Sequence, residues 1–270
     1  TSGANVDDGL AWLTSQQGSD GAWQDREGTA VRDTTEIYRV LSELDPLNPQ
    51  LATARSFLLA QEGLNTDSLA RLIRALREVA GTERVDELLA RQNLDGGWGL
   101  NPGDRSDALD TALALLALDS IGEVGASLTD GVSYLLALQN PDGGWPAGEQ
   151  GASNVLATSQ ALTALAALGT EGTALDDGVS YILASQGGDG GFGAVDSSVH
   201  ETSLALSTLI ALDRADDANL TAARDFVDSR QAVEGSWSGS GYTTALAVLA
   251  LQSLDFPNWR IDSITAEATT

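Results

Sequence analysis

Two kinds of apolar segment alternate along this chain of 270 residues. The first kind, at 130–139 and in nearly the same letters at 177–186, spaces its large apolar residues so that they form one buried stripe on a helix. The second kind, at 110–118 and 158–168, is apolar or small on nearly all faces, as a helix packed on several sides requires. The pattern therefore predicts outer helices that alternate with inner helices.

A glutamine followed six residues later by an aromatic residue marks the turn between the two helices. The five pairs are Gln17/Trp23, Gln92/Trp98, Gln139/Trp145, Gln186/Phe192 and Gln231/Trp237. Glycines in these turns, such as Gly96 and Gly97, permit positive φ and a close backbone approach. We expect the glutamine amide to cap free backbone groups and the aromatic ring to wedge between neighbouring outer helices. A fixed spacing that recurs along a chain indicates a repeat protein.

Six repeat units account for the chain. The long interval between Trp23 and Trp98 holds a degenerate unit, with an outer helix at 52–61, a short turn at 62–65 and an inner helix at 67–79. Helical hairpins of this size stack as an open solenoid or close on themselves. The predicted units are 7–45, 50–80, 84–121, 130–169, 177–213 and 221–255, within one domain at 1–255. The alternation in the tail, 256–270, predicts a short strand. This strand resembles the start of an immunoglobulin-like β domain that would follow.

The glutamine-tryptophan pairs, the Asp-Gly-Gly-Trp turns and the Thr-Ala-x-Ala-Leu helices resemble the prenyltransferase and squalene/terpenoid cyclase repeat superfamily. The resemblance extends over about residues 7–255. It implies an all-α fold, an (α/α)6 toroid with six inner and six outer helices around a central lumen.

Composition narrows the environment. The chain has 39 Asp and Glu against 14 Lys and Arg, all 14 of them Arg, for a formal charge of -25. Such a surface repels nucleic acids and anionic membranes, and it suits a protein kept soluble in high salt. The chain has no Met, which predicts that residue 1 is a processed or cut end. We expect a domain of a larger exported or cell-surface protein, with neighbouring domains in the same chain and no membrane insertion.

The enzymes that the resemblance implies need groups that this sequence lacks. Terpenoid cyclases of the second class use Asp-x-Asp-Asp-Thr-Ala, but here the residue at the proton-donating position is Leu109, between Asp107 and Asp110. Another partial match, at 31–35, contains Asp33 but has Val31 where the first aspartate should be. Zinc prenyltransferases need a cysteine, and so does the thioester of the complement proteins; the chain has none, and Ala147 stands where that thioester would need it. Aromatic residues that stabilise carbocations are also scarce, with Tyr38 in an inner helix and Tyr242 just ahead of one, so we expect an aliphatic lumen.

Polar residues recur where the inner helices begin, and in a toroid these positions meet at one mouth of the lumen. We predict a ligand site there, formed by Asp33, Asp67, Asp110, His200, Glu201 and Tyr242. No cofactor is predicted, although calcium is a candidate ion for which Asp107, Asp110 and Glu201 would be the ligands. The structural explanation is that each acid caps a helix N-terminus.

We therefore predict a noncatalytic binding or interaction module that takes an apolar or polar small ligand or a protein partner. The alternative is a terpenoid cyclase or prenyltransferase-like enzyme that acts on an isoprenoid with an atypical acid, for which Asp107, Asp110 and Asp33 are the candidates. An enzyme predicts a deep aromatic-lined pocket with a desolvated carboxylic acid. A module predicts a shallow or leucine-filled centre.

Overall fold

Six inner and six outer helices form the part of the chain described by the computed structural model, residues 5–214 and 217–255. The inner helices are α2 (Ala30–Leu44), α4 (Thr66–Leu76), α6 (Ala108–Ser120), α8 (Val155–Ala167), α10 (Val199–Ala211) and α12 (Gly241–Asp255). The outer helices are α1 (Val6–Ser15), α3 (Leu51–Leu59), α5 (Thr82–Ala90), α7 (Ala126–Leu138), α9 (Thr173–Ala184) and α11 (Asp217–Asp228). The predicted tail at 256–270 lies outside the described residues.

The inner helices form a closed ring. Each packs against the next from α2 to α12, and α12 packs against α2. Each outer helix packs on the inner helix that precedes it, and α1 completes the outer layer by packing on α12. This arrangement confirms the predicted α/α toroid.

The difference between the two helix types follows the predicted pattern. In α6, every residue from Asp110 to Leu118 is buried. In α7, an outer helix of equal length, only Gly131 and Leu135 are fully buried. Inner helices need small apolar side chains on all faces because they contact two inner neighbours and the outer layer, whereas outer helices need a single stripe.

Several helix boundaries differ from the prediction, and two of the differences concern the ring of inner helices. α4 ends at Leu76, three residues before the predicted end, and a 3-10 turn follows at Arg77–Val79. Arg77 caps α4 with a positive φ of 46°. α12 begins at Gly241, so Tyr242 lies in its first turn and not ahead of it. This difference places the Tyr242 ring at the mouth of the lumen.

The turns join neighbouring outer helices as predicted. The Gln139 amide donates to the carbonyl oxygens of Gly143, in its own turn, and of Ala174, at the start of the next outer helix (2.7 and 2.8 Å). The Trp145 indole donates to Leu135 O at 2.7 Å, and its ring lies against Gly178 of α9. The last turn repeats this contact across the ring closure, since the Gln231 amide donates to Asn5 O at 3.0 Å.

No helix in the described residues is both long enough and apolar enough to cross a membrane.

Candidate functional site

The mouth of the lumen is formed by the first turns of the inner helices. A side chain at the N-cap accepts a hydrogen bond from the backbone N–H three residues later in five of these helices. The pairs of acceptor and donor are Asn65/Ser68, Asp107/Asp110, Asn154/Ala157, Ser198/Glu201 and Ser240/Thr243. Of the predicted mouth carboxylates, Asp110 and Glu201 therefore lie in a capped first turn.

Asp33 is bonded to its own unit. One carboxylate oxygen accepts from Asp25 N at 2.8 Å and from the Thr29 hydroxyl, and the other accepts from Arg32 at 2.7 Å. The residue is fully buried. These contacts satisfy the carboxylate without a ligand.

Asp107 and Asp110 form a pair at the start of α6. Burial, and after it the charge of the neighbouring Asp107, raise the pKa of Asp110 to about 8. The pKa of Asp107 is raised as well, mainly by burial. Asp110 is thus a carboxylic acid that holds its proton at neutral pH, beside a carboxylate that accepts from its backbone N–H.

Asp67, Arg71 and Tyr242 form a linked group at the mouth. Arg71 Nε donates to Asp67 Oδ1 at 2.9 Å, and Arg71 NH1 donates to the Tyr242 hydroxyl at 3.2 Å. The guanidinium of Arg32 lies over the Tyr242 ring, 4.5 Å from its centre. Three of the elements that line the lumen, α2, α4 and α12, are therefore bound together by one aromatic ring and two cations.

His200 packs edge-on against Tyr242, with ring centres 5.6 Å apart. Burial, and after it the charges of Arg32 and Arg71, lower the pKa of His200 to about 4. Its Nε2 atom is buried and has no hydrogen-bond partner among the described residues. His200 is consequently neutral near pH 7. Glu201, the next residue, accepts from the Ser198 hydroxyl at 2.9 Å and so belongs to the cap of α10.

The described residues contain no group of three or more His, Cys, Asp or Glu side chains that could hold a metal ion. Asp107 and Asp110 are together, but Glu201 bonds within its own helix cap. Calcium binding by these three residues stays a prediction without geometric support.

Below the mouth, a cavity of about 60 Å³ lies on the axis of the ring. All six inner helices line it. Its polar wall comes from the first two units and from α8 and α10: Thr35, Glu36, Arg39, Arg71, Arg74, Gln160, Thr163, Ser207 and Thr208. Its apolar wall is formed by Ala70, Leu113, Leu204, Leu246 and Leu249, with Tyr242 at the mouth. The prediction of an aliphatic lumen is therefore wrong, because three arginines line it.

The Glu36 carboxylate faces these cations. It accepts from Arg39 NH2 at 2.6 Å, and both side chains are largely buried, with 9% and 14% exposed. Burial alone would raise the pKa of Glu36, but the charges of Arg39, Arg71 and Arg74 outweigh it and hold the pKa below its usual range. The lumen thus contains a buried anion among several cations.

The chain matches the family described as the prenyltransferase alpha-alpha toroid domain over residues 3–128 and 63–245. The chain belongs to this family. A drimenyl diphosphate synthase of Streptantibioticus cattleyicolor is 34% identical over 121 residues, which are 43% of this chain and 18% of that enzyme. The chain thus spans less than a fifth of the curated relative that it matches.

Solved structures share the fold of the family. A protein from Actinoplanes has a TM-score of 0.77 and 19% identity, covering 93% of this chain and 98% of that one. The type II terpene cyclase MstE from Scytonema has a TM-score of 0.76 and 16% identity, covering 93% and 97%. Identities this low show the toroid fold alone.

Within the toroid family fold, Leu109 lies at the position that the resemblance assigns to the cyclase acid. It is partly buried and packs against the main apolar core. Leucine has no proton to donate, so the desolvated acid nearest to this position is Asp110.

Sequence reasoning missed Glu36, Arg39, Arg71, Arg74 and Gln160. One signal could have identified four of them. Only the first two inner helices carry charged residues through their middle turns, at spacings of three or four residues, while the middle turns of α6, α8, α10 and α12 have none. Charges at one helical face of a buried helix indicate a polar lumen, since residues three and four apart lie on one side.

A second, larger cavity of about 710 Å³ lies between α8, α9 and α10 of the toroid, at the ends of α8 and α10 away from the mouth. Its wall includes Ala166, Leu175, Val179 and Ala211. Thr163 and Thr208, whose hydroxyl groups are 3.2 Å apart, line both cavities. The threonine pair thus forms part of the wall between the two spaces.

Proposed function

We propose that this toroid is a noncatalytic binding module and that its lumen is the ligand site. The observation that carries the proposal is the lining of the lumen, where Arg39, Arg71 and Arg74 replace the aromatic wall of a cyclase. A carbocation is stabilised by aromatic faces and repelled by fixed cations. The geometry favours the binding of a polar ligand over carbocation chemistry.

The volume of the lumen supports the same function. About 60 Å³ is room for a few water molecules, well below the roughly 300–1,000 Å³ of pockets that take larger organic ligands. The acidic composition, with a formal charge of -25, supports a module of a larger exported or surface protein in a high-salt environment. The ligand of this module is a small molecule with polar groups.

The second candidate is a terpenoid cyclase or prenyltransferase-like enzyme with Asp110 as its acid. One specific observation favours it: Asp110 holds its proton at neutral pH because burial and Asp107 raise its pKa. The relatives named as terpene cyclases and synthases are consistent with it. Against it stand the small volume and the cationic wall of the lumen.

Two measurements on the full chain separate these functions. Native mass spectrometry of gently purified protein should show a small molecule retained above 28.0 kDa, and Gln160→Leu should lose it because the lumen then lacks an amide. Incubation with geranylgeranyl diphosphate, followed by gas chromatography and mass spectrometry, should give no cyclised product. A product that disappears in Asp110→Asn would overturn the noncatalytic function and establish the second candidate.

A further inference from the structure

One position of each inner helix that follows a glutamine-aromatic turn lines the lumen. It lies two residues after the threonine whose hydroxyl accepts from the backbone N–H of the turn aromatic. The residue there is Leu113 in α6, Leu204 in α10, Leu246 in α12 and Glu36 in α2. In α8 it is Gln160. One neutral amide therefore stands among leucines at the lumen.

The Gln160 amide lacks the partners that a buried amide needs. The residue is only 9% exposed, and its side chain makes no hydrogen bond to any residue that the structure describes. Burial removes the water that would otherwise bond to its oxygen and nitrogen atoms, at a cost in free energy. Ser207 lines the same space from the neighbouring helix α10, and its hydroxyl has no partner within the described part of the chain either. A ligand in the lumen would supply these hydrogen bonds.

The charged groups of the lumen, in contrast, already interact within the protein. Glu36 accepts from Arg39 at 2.6 Å, and Arg71 donates to Asp67 at 2.9 Å. Arg39 and Arg74 have further interactions with the chain. The groups that remain for a ligand are therefore the uncharged amide of Gln160 and the hydroxyl of Ser207.

From these observations we propose that the lumen binds an uncharged small molecule with a carboxamide group, and that Gln160 is the residue that selects it. Two carboxamides pair through two parallel hydrogen bonds, because each has an N–H donor beside a carbonyl acceptor. The Ser207 hydroxyl can bond to a remaining polar atom of the ligand. This inference rests on the proposed binding function and names the chemistry of its ligand.

The dimensions limit the rest of the ligand. A space of about 60 Å³ holds a few water molecules, or one molecule with only a few non-hydrogen atoms. Leu113, Leu204 and Leu246 offer apolar contacts alone, so the substituent on the carboxamide is a short alkyl group. A long hydrocarbon chain does not fit into this space.

Three probes of nearly equal shape test the charge of the ligand: acetamide is neutral, acetate is an anion and acetamidinium is a cation. Saturation-transfer difference NMR of the probe methyl group measures binding to the full chain at pH 7 and fixed ionic strength. We expect acetamide to bind at least about ten-fold more tightly than either ion, because the lumen leaves no charged group for an ion to pair with.

Two variants test the residues. Gln160→Leu introduces the residue that α6, α10 and α12 have at this position, and it should weaken acetamide binding at least about ten-fold because two hydrogen bonds are lost. Ser207→Ala should weaken it about three-fold. Gln252→Leu, at a half-buried glutamine of α12 that does not line the lumen, is the matched control and should leave the affinity unchanged. Thermal unfolding verifies that each variant is folded.

The carboxamide is overturned if acetate or acetamidinium binds as tightly as acetamide, or if Gln160→Leu and Gln252→Leu have the same effect. An ion that binds in place of acetamide and is lost in Gln160→Leu would leave the binding module intact and remove only the neutral ligand. If none of the three probes binds, the carboxamide fails. If native mass spectra then also show no retained molecule, the proposed binding function fails with it.

Discussion

Five of the six units join their neighbours through a glutamine and an aromatic residue, and the second unit does so through two arginines. In the fourth unit the Gln139 amide donates to two backbone carbonyl groups. The indole N–H of Trp145 donates to α7, and its backbone N–H donates to α8. In the second unit, Gln61 turns back to Phe57 O of its own helix at 2.9 Å.

Arginines in α5 and at its C-cap supply the missing contacts. Arg84 donates to the carbonyls of Leu59 and Gln61 at 2.8 and 3.1 Å. Arg91 donates to Leu64 O at 2.8 Å and pairs with Glu87. Both sets of side chains satisfy carbonyl groups at helix ends that would otherwise lack a partner. The contact between neighbouring units therefore needs hydrogen-bond donors at the helix-end carbonyl groups, and either glutamine or arginine can supply them.

The irregular unit also contributes charged side chains to the lumen. Its inner helix α4 contributes Arg71 and Arg74, whereas α6 and α8 of the regular units contribute Leu113, Gln160 and Thr163. The regular units thus build the ring, and the first two units give its centre a charge.

The largest effect is expected where a regular joint loses its aromatic residue. Trp145 is fully buried, and Trp145→Ala should lower the free energy of unfolding by about 3–5 kcal/mol. Urea denaturation measures the loss. Trp12→Ala, at a half-buried tryptophan outside the motif, is the control and should cost clearly less. Equal losses would show that the motif position has no special weight in the joint.

The turn glycine is the next most sensitive position. Gly143 has a φ of 87°, and a Cβ there would lie 2.4 Å from Asp177 O of the next outer helix. Gly143→Ala should cost about 2–4 kcal/mol through strain and displacement of that helix. Gly122→Ala, also at positive φ but with open space around it, should cost only about 1–2 kcal/mol. Thermal unfolding of both variants at one pH measures the two losses of stability. Equal losses would show that the close approach of Asp177 to Gly143 adds nothing to the effect of positive φ.

Two neighbouring inner helices differ at the residue whose backbone N–H donates to the N-cap: α6 has Asp110 there, and α8 has Ala157. The folded pKa of Asp110 is raised to about 8, so the folded chain retains a proton that the unfolded chain loses above pH 4. This contribution to stability is complete below about pH 4 and is lost as the pH rises to about 8.

In the unmodified chain, the free energy of unfolding should therefore fall by up to about 1.4 kcal/mol per pH unit between pH 5 and 7. Asp110→Asn should abolish this fall. Urea denaturation at several pH values measures this slope. The exposed Asp130→Asn is the control for the loss of one negative charge. If the unmodified chain and Asp110→Asn show parallel pH profiles, Asp110 is not protonated in the folded state.

The fold could be predicted from the sequence because every unit repeats the same pair of helices. One wrongly predicted boundary, such as the end of α4 at Leu76, therefore does not alter the ring. The site could not be predicted in the same way. Glu36, Arg39 and Arg71 come from two units and meet only because the inner helices converge on one axis. The mouth acids recur visibly along the chain because helix N-termini favour them, and that local cause hides whether they also bind a ligand.

The smallest effect tests whether arginine replaces glutamine at the irregular joint. Gln139→Leu leaves the carbonyls of Gly143 and Ala174 without their donor, and Arg84→Met does the same to those of Leu59 and Gln61. Each should lower the free energy of unfolding by about 1–2 kcal/mol, because a half-buried carbonyl regains part of its hydration. Arg55→Met, at an exposed arginine of α3, is the control for the loss of a cation. If Arg84→Met matches Arg55→Met and Gln139→Leu does not, the second joint is held by its apolar contacts, and the equivalence of the two joints fails.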